Sequence, residues 1–426
     1  MKRILIITYY WPPAGGPGVQ RWLQFVRYFR DYDIAPIVYV PENPSYPLID
    51  KSFEKEVPSE VTVIKRPIKE PYRFAKVLSG KKTRQISSGI ISNEKQSFVE
   101  KLLLFVRGNY FIPDARVGWV KPSVSFLKEY ISENPVDVII TSGPPHSLHL
   151  IGLKLKKELN LKWIADFRDP WTTIHYHKSL RLMDKAKKKH KALEKEILTE
   201  AHLIVVTSPT TKKEFEAITN RPIEVITNGY GESSEIPQTL DGSFSISHIG
   251  SLLSERNPKF LWKVLSEITS ENIDFKRDLE LKLAGNVSKE VLESIFNTGL
   301  KSNCKLLGYV SHSEALQLQR NSGVLLIVEI DSEDTKSIIP GKLFEYLAAN
   351  RPILALGPKE SDMEDIIHET KSGKFYDYSQ AELLKAHILQ LYADYKSGSL
   401  ISSSEGVEKY SRRELTKRMS EIIKSI

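Results

Sequence analysis

The chain has 426 residues, enough for two or three domains at roughly 150 residues each. Hydrophobic residues make up 41% and charged residues 27%, which excludes a largely disordered chain; the single cysteine, Cys304, excludes any disulfide and any zinc site built on two or more thiolates. The net charge of +8 is uneven, with +11 on residues 1–236, −5 on residues 237–400 and +2 on the last 26, so an anionic partner is expected for the first half.

The first half reads as alternating strands and helices. Arg3–Tyr9 is a β-rich apolar run suited to a strand buried on both faces, and Pro12–Gly18 is a turn-rich loop. Val19–Arg30 has helical spacing, with Trp22, Phe25, Val26 and Phe29 on one stripe. Further strands are expected at Ala35–Val40, Val61–Lys65, Val136–Thr141, Lys162–Asp166, Leu203–Thr207 and Glu224–Thr227, with a helix at Ser147–Leu159. Asn228–Asp241, rich in Gly, Ser and Pro, reads as a linker. The pattern then restarts with strands at Ser245–Ile249, Glu280–Ala284, Lys305–Leu307, 323–329 and 352–356, and helices at Pro258–Thr269, Lys289–Thr298, 313–321 and 341–349. A final helix, about 406–425, has no strand after it. This is the alternation of two parallel, doubly wound α/β domains, here 1–230 and 231–405, with helix 406–426 packing back on the first. Two such domains imply a central cleft, and chemistry is sought in the loops after strands.

No targeting or spanning segment is visible. Ile4–Ile7 is too short for a signal-peptide core, and Leu102–Val106 falls far short of the roughly 20 apolar residues that span a bilayer. A cytoplasmic protein is expected, soluble or peripheral on the inner face of the cell membrane.

Five loops carry the candidate chemistry. Trp11–Gly18 follows the first strand; Gly16 and Gly18 would let a ligand approach the backbone at a helix N-terminus, although an ordinary strand-to-helix turn reads the same way. The dinucleotide fingerprint fails there, because Arg21 stands where its third glycine belongs. Ser142–Ser147 offers His146 for hydrogen bonding or proton transfer, with Ser147 as a helix cap; a solvated histidine is the alternative. Ala165–Trp171 places Asp166, Arg168 and Asp169 at a strand end, where they line a site or merely pair with one another. Gly250–Arg256 presents Ser251 and Arg256, the latter able to hold a phosphate bidentately or simply to face solvent. In Ile338–Ala349, Pro340 and Gly341 open a helix. Lys342 on its first turn opposes the helix dipole, a placement that makes sense beside an anion, and Glu345 lies one turn later.

The basic excess is concentrated in residues 65–107, with 11 basic and 3 acidic side chains among Phe74, Val77, Leu78, Phe98 and Leu102–Val106, a pattern that suits an anionic membrane surface. Arg181–Glu196, with seven basic and three acidic residues, is a second basic stretch that also suits a solvated helix. No nucleic-acid-binding motif accompanies the charge.

In their order and spacing these loops resemble the group 1 or family 4 glycosyltransferases of GT-B fold. The resemblance covers nearly the whole chain. It rests on Tyr10-Trp11-Pro12-Pro13 with Gly15–Gly18, Gly143–Ser147, Asp166–Trp171, Thr227-Asn228-Gly229, Gly250-Ser251-Leu252, Ala284-Gly285, and above all Pro340–Ala349 followed by Arg351-Pro352-Ile353. It implies transfer of a sugar from a nucleotide-sugar to a glycan or lipid-linked acceptor, with retention, in surface polysaccharide synthesis. It also implies that no metal or other cofactor is needed, that the second domain holds the donor and that the first holds the acceptor. On this resemblance Gly16, Gly18, Ser251, Arg256, Gly341, Lys342 and Glu345 bind the donor. Glu345 contacts the ribose as the second of the family's paired glutamates, and Arg256 replaces a phosphate-binding lysine. Asp166, Arg168 and His146 are the catalytic candidates, with Asp166 nearest the reacting carbon. Two departures stand out: Ser337 occupies the place of the first paired glutamate, and Ser251 that of an arginine. They leave open a nucleotide-sugar-binding protein without transferase activity; an epimerase or hydrolase on the same architecture is a further alternative.

Overall fold

The computed structural model describes residues 1–70, 98–174, 177, 180–231 and 242–426. Two compact units form: Met1–Thr227 with Arg412–Ile426, and Asn228–Ser411.

The first unit contains β1 (Lys2–Ile7), α1 (Pro17–Tyr28), β2 (Ile34–Pro41), β3 (Thr62–Arg66), α2 (Phe98–Tyr110), α3 (Val120–Glu133), β4 (Val138–Gly143), α4 (Ser147–Leu159), β5 (Lys162–Phe167), α5 (Asp184–Glu200), β6 (Leu203–Val206), α6 (Pro209–Glu216) and β7 (Ile223–Val225). The strands form one parallel sheet in the order β3-β2-β1-β4-β5-β6-β7. Alternation explains why β1 reads as an unbroken apolar run. Leu5 and Ile7 face a core with Trp119, Leu148 and Trp163, whereas Ile4 and Ile6 face a second core with Trp22, Val26 and Phe29. Each such side chain, fully buried, contributes about 1.5–3 kcal/mol relative to exposure.

The second unit contains β8 (Phe244–Ile249), α7 (Lys259–Glu271), α8 (Ile273–Asp278), β9 (Leu279–Ala284), α9 (Lys289–Asn297), β10 (Cys304–Gly308), α10 (His312–Asn321), β11 (Val324–Val328), α11 (Gly341–Ala349), β12 (Ile353–Leu356), α12 (Asp362–Thr370), β13 (Gly373–Tyr376) and α13 (Ala381–Ser397). Its sheet is also parallel, in the order β10-β9-β8-β11-β12-β13. β11 again divides its side chains, with Val324, Leu326 and Val328 in one core and Leu325 and Ile327 in the other.

The chain ends in α14 (Arg412–Ser425), whose Leu415, Met419 and Ile423 join the core that holds Trp22. This helix begins later than the sequence reading placed it. Val407–Tyr410 form a separate 3-10 turn, and Ser411 is extended (φ −64°, ψ 141°). The reading also passed over β13, whose four residues, one a glycine, are too few to show a period. Of the basic stretch 65–107, residues 71–97 lie outside the described residues. Among the described residues no helix is long and apolar enough to cross a membrane.

Candidate active site

In an open parallel sheet, ligands bind beyond the carboxyl ends of the strands where the strand order reverses. The reversal lies between β1 and β4 in the first unit and between β8 and β11 in the second.

In the first unit Arg168 ties three loops together. Its guanidinium donates to the Pro144 carbonyl and lies over the Tyr10 ring, 5.4 Å from the centroid. It also occupies the space that a Cβ on Gly18 would need, so a larger residue there would displace the guanidinium from its place between the loops. Gly16 caps α1 with φ +94° and open space beside it. The backbone supports the arrangement: the Arg168 amide donates to Gly143 (2.9 Å), and Thr207 Oγ1 donates to the Arg168 carbonyl (2.8 Å).

Asp166, expected at the reacting carbon, is fully buried and engaged on both oxygens. Oδ1 accepts from Arg21 Nη2 (2.8 Å), and Oδ2 accepts from Ser142 Oγ (2.7 Å) and Trp22 Nε1 (3.0 Å). β4 and β5 set Ser142 opposite Asp166 in register. The geometry makes this carboxylate an anchor for α1.

His146 stacks on Trp171, with ring centroids 5.1 Å apart and planes within 4°. Neither ring nitrogen has a hydrogen-bond partner among the described residues. Burial, with His149 and Arg168 adding repulsion, holds its basicity well below the ordinary histidine range, so the ring is neutral. Ser147 does not cap its own helix, as the sequence reading had it. Asp114 does so from outside, accepting from the Ser147 amide (2.8 Å) and hydroxyl (2.9 Å). A carboxylate is the stronger acceptor beside the positive end of a helix.

In the second unit Lys342 is the focus. It sits half-buried on the first turn of α11, which no side chain caps. Its ammonium lies 3.0 Å from His248 Nε2 and would lie 2.6 Å from a Cβ on Gly250, whose φ of +130° also favours glycine. His248 is buried, and its Nδ1 donates to the Leu326 carbonyl (3.0 Å). That fixes the neutral tautomer with Nε2 as acceptor, aimed at Lys342; the 3.4 Å approach of Nε2 to the Ser251 carbonyl is then no hydrogen bond. Burial, with Arg256 nearby, pushes the Lys342 pKa down to about 8. No carboxylate lies within ion-pair distance of its ammonium among the described residues.

Arg256 is not simply solvated. It grips the buried Glu329 at both carboxylate oxygens (2.9 and 3.1 Å) while a third of its side chain remains exposed. Glu345 is half-buried; Oε2 accepts from Gln319 (2.9 Å), and Oε1 stands 3.9 Å from His312. Ser251 is exposed at the end of β8, and Ser337 is half-buried before α11.

The structure therefore gathers Gly18, Arg168 and His146 at one strand-end cluster, with Asp166 beneath, and Ser251, Arg256, Gly341, Lys342 and Glu345 around another. The sequence reading missed Arg21, His248 and Glu329. His248 left one signal, a titratable residue inside an otherwise buried strand. Among the described residues no three His, Cys, Asp or Glu side chains gather as a metal ion would require.

Comparison with known proteins adds family and fold. Residues 90–232 match the profile of Glycosyltransferase Family 4, and residues 243–394 match that of Glycosyl transferases group 1. No curated protein sequence matches the chain. Among solved structures, sucrose-phosphate synthase from Thermosynechococcus elongatus is 13% identical over 100% of this chain and 99% of its own (TM-score 0.64). The lipopolysaccharide outer core galactosyltransferase WaaB, in its apo form, is 15% identical over 99% of each chain (TM-score 0.59). A mutant of S. aureus TarM in complex with fondaparinux, α-GlcNAc-glycerol and UDP is 13% identical over 99% of this chain and 100% of its own (TM-score 0.61). At these identities the likeness is one of fold, the two-domain GT-B architecture.

Proposed function

As a member of the group 1 and family 4 glycosyltransferases this chain moves a sugar from a nucleotide-sugar, and we propose that its second unit holds the donor diphosphate and its first the acceptor. The observation that supports this is Lys342. An ammonium at an uncapped helix N-terminus, hydrogen-bonded to a neutral imidazole and with the Glu329 and Glu345 carboxylates acting on it only from beyond ion-pair distance, lacks a direct anionic partner; Arg256 beside it is already paired with Glu329. A nucleoside diphosphate would supply that anion, and the structurally similar TarM is a protein solved in complex with one, UDP.

Breaking the glycosidic C–O bond places oxocarbenium character on the sugar and negative charge on the leaving diphosphate. Lys342, the exposed side of Arg256 and the free amides around Gly341 stabilise that charge in place. His248 aims Lys342, and Glu329 aims Arg256. Glu345 faces the donor as a hydroxyl acceptor. In the first unit, neutral His146 has unpartnered but buried ring nitrogens, so it would meet an acceptor hydroxyl only once the loops held by Asp166 and Arg168 open to uncover it. We infer transfer with retention to a glycan or lipid-linked acceptor, in surface polysaccharide synthesis at the cytoplasmic face of a membrane. The cationic groups take the place of a metal ion, so transfer is expected to persist in chelator.

The test is calorimetric titration with a panel of nucleoside diphosphates. One of them binds the wild type, and Lys342→Ala weakens it at least tenfold, the loss of about 1.4 kcal/mol expected for one charge-assisted contact. Unchanged affinity would overturn the placement of the donor.

A further inference from the structure

We infer that the outer face of α2 and the first half of α5 form one docking surface for an anionic lipid bilayer. The proposal deepens the membrane-face reading above and rests on it for its biological setting, but its observations are separate.

The apolar part comes from α2. Leu104 and Gly108 point into the unit, and a helix buries only one stripe when its other side faces water. Here the side opposite Leu104 is apolar too: Leu102 is 52% exposed, and Val106, four residues on, is half-buried. Tyr110, at the end of the helix, is 70% exposed, and Met183 is 45% exposed.

The cationic part adjoins it and is fixed to it. Asn109 Nδ2 donates to the Arg181 carbonyl (3.3 Å), and the Met183 amide donates to Asn109 Oδ1 (2.7 Å). His190 Nε2 meets the Gly108 carbonyl at 3.2 Å, pinning α5 against the end of α2. From that anchored turn Lys185, Lys187, Lys188, Lys189 and Lys191 reach solvent, all exposed and none in an ion pair among the described residues. The far half of α5 is different, since Glu196 pairs with Lys157 (2.7 Å) and Glu200 with Lys156 (2.7 Å). Five of the six exposed lysines of α5 that lack an ion pair among the described residues therefore lie at the end of the helix that meets the exposed apolar side chains, and only Lys195 lies beyond it.

Charge complementarity names the occupant. A polyanion is required, and exposed Leu and Met side chains beside the lysines find a use at a headgroup and acyl-chain boundary but none against a phosphodiester backbone. A nucleic acid is the other polyanion, and the experiment separates the two.

The full chain is sedimented with vesicles of phosphatidylcholine alone and of phosphatidylcholine mixed with phosphatidylglycerol. Binding is expected to the mixed vesicles only, and to weaken with salt. Combining Lys185→Gln, Lys188→Gln and Lys189→Gln should weaken binding about a hundredfold, at roughly fivefold for each lysine near an anionic surface. Leu102→Ser with Met183→Ser should weaken it without changing the salt dependence. Unfolding temperature and nucleoside diphosphate affinity serve as controls and should not move. Equal binding to neutral vesicles, unchanged binding by the lysine variant, or binding to single-stranded RNA in place of vesicles overturns the surface. If vesicle binding is lost while nucleoside diphosphate binding and transfer to a soluble acceptor persist, the surface is rejected and the transferase reading stands. If vesicle binding persists but no nucleoside diphosphate binds, the surface stands and the placement of the donor fails.

Discussion

Arg21 and Asp166 form a buried ion pair, 2.8 Å from Nη2 to Oδ1, and the same guanidinium donates to the carbonyls of Ile226 (2.9 Å) and Thr227 (2.8 Å). Thr227 is the last residue of the first unit before the chain crosses to the second. The return crossing, at Arg412, is tied to the neighbouring residue of α1, because Arg412 Nη2 donates to Gln20 Oε1 (2.7 Å). One turn of α1 thus fixes both points at which the chain enters and leaves this unit, and Asp166 holds that turn.

The first prediction separates anchoring from catalysis at Asp166. Asp166→Asn leaves the Arg21 charge buried without its counter-ion and should cost about 3–5 kcal/mol in denaturant unfolding, the usual penalty for breaking a buried pair from one side. The fraction that remains folded should retain measurable transfer. A variant of unchanged stability and no activity would return Asp166 to the reacting carbon.

Gly18 and Arg168 should be coupled. Gly18→Ala drives a methyl into the Arg168 guanidinium and should destabilise by about 1–3 kcal/mol through overpacking. In Arg168→Ala the same change meets only the Tyr10 ring, at an ordinary contact distance of 3.6 Å, and should cost little. A double-mutant cycle therefore yields a coupling energy close to the whole cost of Gly18→Ala; additive effects would show that the guanidinium does not occupy that space.

Much of this architecture is legible in the sequence because of burial on both sheet faces. Ile4–Ile7, Leu203–Val206 and Val324–Val328 announce themselves as apolar runs, and the loops after them are where a parallel sheet places its ligands. What remained hidden was pairing. Asp166 finds Arg21 across 145 residues, Arg256 finds Glu329 across 73, and Lys342 finds His248 across 94. No local pattern encodes such partners. A strand-end carboxylate looks the same in sequence whether it faces substrate or is sequestered by an arginine, and what decides it here is the packing of α1, which carries Arg21 and Trp22, against the end of β5.

Lys342 should make donor affinity fall with rising pH. With its pKa pushed down to about 8, the side chain is charged at neutrality and loses its proton within the accessible range. A diphosphate prefers the charged form. Its dissociation constant should therefore be flat to about pH 7 and rise through about pH 8, by up to about tenfold per unit beyond. The terminal phosphate, with its second ionisation near about 6, is fully charged throughout. Lys342→Arg should abolish the rise. A profile that stays flat to about pH 9.5 would place the ammonium away from the diphosphate or in a more polar setting.

Acid should destabilise the fold through its buried histidines. Burial holds the pKa of His149 at about 3 and that of His387 at about 4, against about 6.5 when unfolded, and keeps His146 and His248 well below that value. For a base with a lowered folded pKa, the unfolded chain binds the extra proton. The stability contributed is therefore complete above about pH 6.5 and is lost as pH falls from there towards the folded values. Each such histidine adds a slope of about 1.4 kcal/mol per pH unit inside that window. The unfolding temperature should hold steady from about pH 8 to 7 and drop steeply between about 6 and 4.5. His387 is the cleanest probe, because its ring contacts Tyr376 (centroids 5.8 Å apart) and its Nδ1 is unpartnered among the described residues. His387→Phe keeps an aromatic ring in that place and removes one titrating group, so it should shallow the acid slope by about one proton's worth while leaving stability at neutral pH nearly unchanged. An equally steep slope in the variant would show that His387 takes up its proton without unfolding.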